Sequence, residues 1–240
     1  MPSPTLTIAT VLILFFCTLI RSAVGFGDAL LAMPLLALVI SLKVASPIVA
    51  FSGFVISLII LLFDRNAIDF KSAWRLILAT IAGIPFGLWL LNHVPEQIVK
   101  SILGVTLIAY GSINLFVQKY PHLQHERYAF PFGFVAGILA GAYNTNGPPI
   151  AIYGILRRWS PEDFRATMQC YFFFSGMITI VGHGLTGLWT PLVWHLSLWS
   201  LPGIGLGVYL GGKLNRLIPQ PMFSQIIFGL LIVVGCLFLM

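Results

Sequence analysis

What most limits the folds open to this chain is the spacing of its charges. Six stretches, about 44–63, 73–92, 98–117, 166–182, 193–212 and 221–240, each hold at most one charged side chain. A helix that crosses the hydrocarbon of a bilayer needs roughly 20 predominantly apolar residues. Only 8% of the residues are charged and 58% are hydrophobic, with a mean hydropathy of +0.97. A water-soluble domain carries about 25% charged residues to cover its surface. The chain therefore reads as an all-α polytopic membrane protein. Its net charge of +6 then reports orientation in the bilayer, not a nucleic-acid partner. Cys17, Cys170 and Cys236 lie in apolar runs without pair spacing or a His neighbour, and read as small apolar residues. The first positive charge is Arg21, so no cleaved signal peptide is expected.

Residues 166–212 hold two spans, because "HGLTGLWTP" between them supplies Gly and Pro for a turn. Two other segments do not fit the template. Residues 5–41 are too long for one span and are interrupted by "GFGD", residues 25–28. Residues 129–156 are interrupted by "NTNGPP". Each is either one broken helix that crosses once or a re-entrant hairpin that returns to its own side.

The basic residues separate the two arrangements. If both segments are hairpins, Lys43 and Lys100 fall on one side. Arg65, Lys71, Arg75, Lys119, Arg127, Arg157, Arg158, Arg165, Lys213 and Arg216 fall on the other. Leaving out Arg21, the split is 10 against 2. If both segments cross once, the split is 7 against 5. Basic loops concentrate in the cytoplasm, which favours six spans plus two hairpins, with both termini outside.

The chain also repeats itself. Ala79, Gly83 and Gly87 recur as Gly203, Gly207 and Gly211, Pro95 as Pro219 and Gly111 as Gly235, every pair 124 residues apart. Small residues four apart form a flat helix face for close packing, and packing is the role expected of these glycines. The expected units are residues 1–120 and 121–240, each one hairpin plus three spans. Two such units in series, each with an odd number of crossings, must be inverted relative to each other. Inverted repeats with broken helices are a secondary-transporter architecture that holds substrate near the midplane.

A backbone break at membrane depth is tolerated where protein or a water-lined cavity surrounds it. The second leg of the first hairpin is expected to start near Asp28 or Ala29. That of the second is expected near Gly147, with Asn146 as cap and Pro148 at the first helical position. Inverted symmetry would bring these two helix starts together, where N–H donors and positive dipole ends suit an anion. Asn144, Thr145 and Asn146 would add neutral donors. The alternative is that these side chains only satisfy the broken backbone.

Arg21 and Asp28 are the only formal charges inside the hairpins. Seven residues apart, they could share a helix face and pair. In one reading Arg21 is the substrate's counter-charge and Asp28 a titrating, proton-coupling group. In the other the tip reaches the cytoplasmic interface, Arg21 snorkels and Asp28 caps the next leg. Gln169, in the apolar "ATMQCYFFF", either lines the pathway or bonds a neighbouring helix. His183 and His195 lack metal-ligand spacing and are expected at the interface. Ser160 in "WSPEDFRATM" is expected to cap the following helix.

The sequence resembles the sulfite exporter TauE/SafE family of membrane transporters. The resemblance rests on "SAVGFGDALLAMPLLAL", on "GFVAGILAGAYNTNGPPIAIYGILRRWSPEDFRATMQCYFFF" and on "GVYLGGKLNRLIPQPMFSQIIFGLLIVVGCLFL", and it covers essentially the whole chain. It implies transport of small sulfur-containing anions, such as sulfite or organosulfonates, across the bacterial inner membrane. The family's glycine-rich tips map onto Gly25, Gly27 and Gly147, with Phe26 between the first two. Where members often carry a further glycine this chain has Asp28, and its second tip is Asn-rich.

The expected function is therefore secondary transport of sulfite, thiosulfate or an organosulfonate. The residues leave open an uncoupled anion channel or a carrier of small carboxylates. There is no HExxH and no nucleotide-binding loop, so no enzymatic activity, metal or other cofactor is expected. The expected partners are a small anion, the lipid bilayer and, through Asp28, protons.

Overall fold

The computed structural model describes residues 3–24, 27–63, 70–116, 121–214 and 220–239. Among the described residues ten α-helices follow one another: α1 Pro4–Val24, α2 Asp28–Ala37, α3 Leu42–Phe63, α4 Phe70–His93, α5 Glu96–Phe116, α6 Ala129–Tyr143, α7 Gly147–Leu156, α8 Pro161–Leu185, α9 Pro191–Leu214 and α10 Gln220–Leu237. A single 3₁₀ turn, Glu126–Tyr128, leads into α6, and the described residues contain no strand. The six expected spans coincide with α3, α4, α5, α8, α9 and α10. The two interrupted segments are helices α1–α2 and α6–α7, broken where the sequence places "GFGD" and "NTNGPP". Arg65, Lys119, Arg216 and Pro219 lie outside the described residues.

Among the described residues four helices are long and apolar enough to cross a membrane, within Pro4–Ala23, Leu42–Leu62, Ala73–His93 and Glu96–Phe116. The chain is a multi-pass membrane protein. Large apolar side chains such as Phe16, Phe86, Trp89, Val105 and Trp199 point outward. Buried positions on α3, α4 and α8 hold Ser46, Ser52, Ser57, Thr80, Ser175 and Thr179. That inside-out distribution suits a lipid solvent, in which helices associate through small and polar contacts. The first leg of the first broken segment is itself long enough to cross a membrane, because nothing between Pro4 and Val24 interrupts its 21 residues.

The repeated glycine faces explain how the helices are joined. Gly83 and Gly87 of α4 lie against the backbone of α6, where an added Cβ would collide with the carbonyl oxygens of Phe134 and Ile138. Gly207 and Gly211 of α9 lie against α1, and a Cβ there would come within 2.9 Å of Phe15 O and 2.5 Å of Leu19 O. The same packing is thus made twice, each time between a glycine face and the first leg of a broken segment. Helices α5 and α10 meet through a third close approach, in which a Cβ on Gly235 would lie 2.7 Å from Gly104 O. Helix α3 packs against α8, and these two run beside both breaks.

Polar contacts tie helix ends together at two levels. Glu126 pairs with both Arg75, at the start of α4, and Arg157, just past α7. Leu123 N donates to Leu156 O at 2.9 Å, and Arg157 Nη1 donates to the Leu123 carbonyl at 2.8 Å. Elsewhere Lys43 Nζ donates to Asn92 O at 3.2 Å and Leu42 N to Glu96 Oε1 at 3.2 Å. Thr7 Oγ1 lies 3.5 Å from His195 Nε2. Ser160 caps α8 as expected, accepting from Asp163 N at 3.1 Å.

Candidate functional site

The two breaks face one small cavity. Its wall includes Arg21, Gly27 and Asp28 from the first break, and Asn144, Thr145, Asn146 and Gly147 from the second. Gly53 and Phe54, about half-way along α3, and Phe172 and Gly176, about half-way along α8, close it. Its volume is about 20 Å³, while roughly 10–15 Å³ accommodates one water molecule.

Each break is made by a residue in the left-handed region. Gly27 precedes α2 with φ 103°, and an added Cβ there would meet nothing within 4 Å. Conformation, not space, calls for glycine. Asn144 ends α6 with φ 54°, a conformation that Asn tolerates better than most residues. Its Nδ2 donates to Val49 O on α3 at 3.2 Å. Asn146 stands at the N-cap position of α7 but makes no capping bond. Its backbone is helical there, and its Nδ2 donates instead to Ser175 Oγ of α8 at 3.0 Å. Thr145 is 1% exposed, and its Oγ1 has no hydrogen-bond partner among the described residues.

The expected helix start at α7 is also modified. Pro148 and Pro149 occupy the second and third helical positions, not the first. Both lack an N–H, so Gly147 is the only one of the first three residues that can donate. Pro148 lines a separate apolar groove with Pro149, against Val105, Ala109 and Tyr110 of α5. The start of α2 keeps its donors on Asp28, Ala29 and Leu30, which have no acceptor within the helix.

Arg21 and Asp28 pair, but not along one helix face. The helix ends between them, and Arg21 Nη1 reaches across the break to Asp28 Oδ2 at 3.0 Å. Arg21 is 2% exposed and does not snorkel to an interface. Nη1 also donates to Gly53 O at 3.4 Å. Nη2 donates to Ser57 Oγ at 2.7 Å and to Gln169 Oε1 at 3.3 Å. The guanidinium lies over the Phe172 ring, 5.0 Å from its centroid, and its Nε has no partner among the described residues. Gln169 therefore joins the site through Arg21. Gly25 and Phe26 lie outside the described residues.

Sequence reasoning missed Ser57, Gly53, Phe172 and Ser175. Gly53 and Ser57 carry a faint signal, since they are four apart in a helix and so share a face. Phe172 carries none. His183 corrects another expectation. It is fully buried, not interfacial, with Nε2 3.3 Å from both Ser46 Oγ and Gly141 O. Seven residues separate it from Gly176, or two turns along α8, so it bonds α8 to α3 and α6 away from the cavity. Among the described residues no cluster of His, Cys, Asp and Glu could hold a metal.

The family model for Sulfite exporter TauE/SafE matches residues 10–238. No curated protein and no solved structure gives a match.

Proposed function

The chain belongs to the sulfite exporter TauE/SafE family, and from that premise we propose that it is a secondary transporter of a small sulfur-containing anion, such as sulfite, thiosulfate or an organosulfonate. One observation carries the reading: a single cavity is bounded by both helix breaks and holds the Arg21 guanidinium and the unpartnered Thr145 hydroxyl in its wall. Taking an anion out of water is prohibitive unless charge and donors replace its hydration. Arg21 supplies a whole charge. Thr145 Oγ1, Arg21 Nε and the backbone donors at the start of α2 supply hydrogen bonds. Asn144 and Asn146 hold the second break against α3 and α8.

In this reading the substrate binds near the midplane of the bacterial inner membrane, and both termini lie outside. The units 1–120 and 121–240 are inverted repeats, each one hairpin plus three spans. The polar contacts at the helix ends support this. Arg75 and Arg157 share Glu126, a contact expected if α7 returns to the side from which α6 entered. The start of α1 meets the start of α9 through Thr7 and His195. The end of α8 meets the start of α3 through His183 and Ser46. Since α8 and α9 are joined by a short turn, α1 enters and α2 returns on one side as well.

Uptake into proteoliposomes tests the proposal, with sulfite, thiosulfate, methanesulfonate and acetate as candidate substrates. Saturable uptake of a sulfur anion is expected. Arg21→Gln is expected to weaken it by removing a charge-assisted hydrogen bond, and Asn144→Ala and Asn146→Ala by loosening the second break from α3 and α8, all three melting cooperatively. A lost charge-assisted hydrogen bond is worth roughly 1.5–3 kcal/mol, or about 10- to 150-fold in affinity. Uptake of acetate alone, or wild-type affinity in all three variants, would overturn the reading.

A further inference from the structure

The charges around the cavity cancel. Among the described residues Arg21 and Asp28 are its only charged lining residues, and they are bonded at 3.0 Å. The groups facing Asp28 from the surrounding elements are few. From α1 they are Arg21 and the buried Cys17 thiol, one turn earlier. Helix α3 presents Gly53 and Ser57, and α8 presents Gln169 and Phe172, none of them titratable. Helices α7 and α10 contain no Lys, Arg, His, Asp or Glu.

Arg21 is also nearly saturated. Its two terminal nitrogens already donate to Asp28, Gly53 O, Ser57 and Gln169. Only Nε is left without a partner among the described residues. A guanidinium has five N–H donors. An anion that takes more than one bond from Arg21 must therefore displace one of these acceptors. Displacing a neutral acceptor would leave two anions sharing one buried cation. Displacing Asp28 leaves a buried, unpaired carboxylate, unless that carboxylate is protonated.

We propose that this cavity binds a monoanion together with one proton on Asp28, and rejects dianions. The inference rests on the anion-transport reading and specifies its substrate charge and coupling: hydrogensulfite and monosulfonates remain as substrates, and thiosulfate, a dianion, is excluded. In the empty site Arg21 and Asp28 sum to zero. In the loaded site Arg21 faces the monoanion and neutral Asp28, and the sum is again zero. Protonation turns Asp28 from an acceptor into a donor, so the carboxyl that gave up Arg21 bonds the anion's oxygen. The proton comes from water on the side from which the anion arrives and leaves with it on the other. No bond within the anion changes, and the cycle moves no net charge. A dianion leaves one negative charge uncompensated. At the membrane centre that penalty corresponds to discrimination of about 100-fold.

Proteoliposomes holding the full chain test the inference with methanesulfonate, which stays a monoanion across the working pH range, and with sulfate as the dianion. Methanesulfonate uptake is expected to carry one proton per anion, read by an internal pH dye, and no current on a solid-supported membrane. Sulfate is expected to be taken up about 100-fold less well. Asp28→Asn keeps the shape and an N–H donor without a titrating proton. It is expected to lose the proton movement and to leave whatever methanesulfonate binding remains independent of pH. Equal uptake of sulfate, a current with methanesulfonate, or unchanged proton movement in Asp28→Asn would overturn the inference. If Asp28→Asn fails to fold, the wild-type charge and selectivity measurements decide alone. Arg21→Gln keeps the two readings apart. Wild-type methanesulfonate affinity in that variant removes the site itself. Lost affinity in that variant, combined with electrogenic or dianion transport in the wild type, removes only the charge rule.

Discussion

Thr145→Val separates a binding site from broken-backbone architecture, because the two predict opposite signs. Valine matches threonine in shape and replaces only the hydroxyl. That hydroxyl is buried, lines the cavity and has no partner among the described residues. An unsatisfied buried polar group costs about 1–3 kcal/mol, so its removal should leave the ligand-free protein as stable as before or more so. If the hydroxyl donates to an anion, its loss removes a charge-assisted hydrogen bond. That is roughly 1.5–3 kcal/mol of binding, or about 10- to 150-fold in dissociation constant. The assay pairs a melting curve in detergent without anion and isothermal titration with sulfite or methanesulfonate. A higher or equal melting temperature with weakened binding is expected. A lower melting temperature with unchanged affinity would refute the reasoning, since the hydroxyl would then serve the fold and not the ligand.

Two further predictions concern placement and packing. In a background lacking Cys17, Cys170 and Cys236, His122→Cys should react with an impermeant maleimide only from the cytoplasmic side. Leu185→Cys, 85% exposed at the end of α8, should react only from outside, and labelling of both from one side would remove the inverted arrangement. His183→Gln gives up two contacts that bond α8 to α3 and α6, together worth about 1–3 kcal/mol at 0.5–1.5 each. Melting should fall while anion affinity stays at the wild-type value, and weakened affinity would show that His183 belongs to the transport path.

The sequence was most legible where lipid is the partner. Lipid demands an apolar run of fixed length, and the long helices α3, α4, α5, α8, α9 and α10 follow the charge-poor runs closely. The breaks were legible for a related reason. "GFGD" and "NTNGPP" are turn chemistry where helix chemistry is otherwise unbroken, and the helices stop there. What escaped was set by distant parts of the chain. Arg21 finds Ser57 and Gln169, 36 and 148 residues away, and no local pattern announces such partners. Its pairing with Asp28 was anticipated for the wrong reason, since the break that separates them is what lets them meet. Asn146 read as a cap because Asn before Gly-Pro is a helix-start pattern. Ser175 on α8 offered its amide a better bond, and the local rule yielded to a tertiary contact. His183 read as interfacial for want of metal-ligand spacing, but Ser46 and the Gly141 carbonyl, 137 and 42 residues away, hold it inside the bundle.

The packing also limits how the cavity can open. Alternating access opens the site first to one side and then to the other, so transport requires helices to move. Transporters built from repeats commonly rock one repeat against the other. Here the first leg of each broken segment is seated on the glycine face of the opposite half, α1 on α9 and α6 on α4. Backbone in contact with backbone leaves no side chains to slide, so these pairs should travel as units. The motion must then separate α1 with α9 from α4 with α6, and α3 and α8, which close the cavity between them, should shift most. Two cysteine pairs distinguish this from rocking of halves. A Cβ at Gly203 would lie 3.6 Å from Phe15 Cβ, and one at Gly176 would lie 3.5 Å from Phe54 Cβ. Both separations suit a disulfide, for which Cβ atoms lie roughly 3.5–4.5 Å apart. Oxidation of Phe15→Cys/Gly203→Cys should leave uptake at its reduced level. Oxidation of Phe54→Cys/Gly176→Cys should abolish uptake, with reductant restoring it. If the α1–α9 bridge stops transport reversibly, the halves move as rigid bodies past each other, and the glycine contacts are sliding surfaces instead of fixed joints.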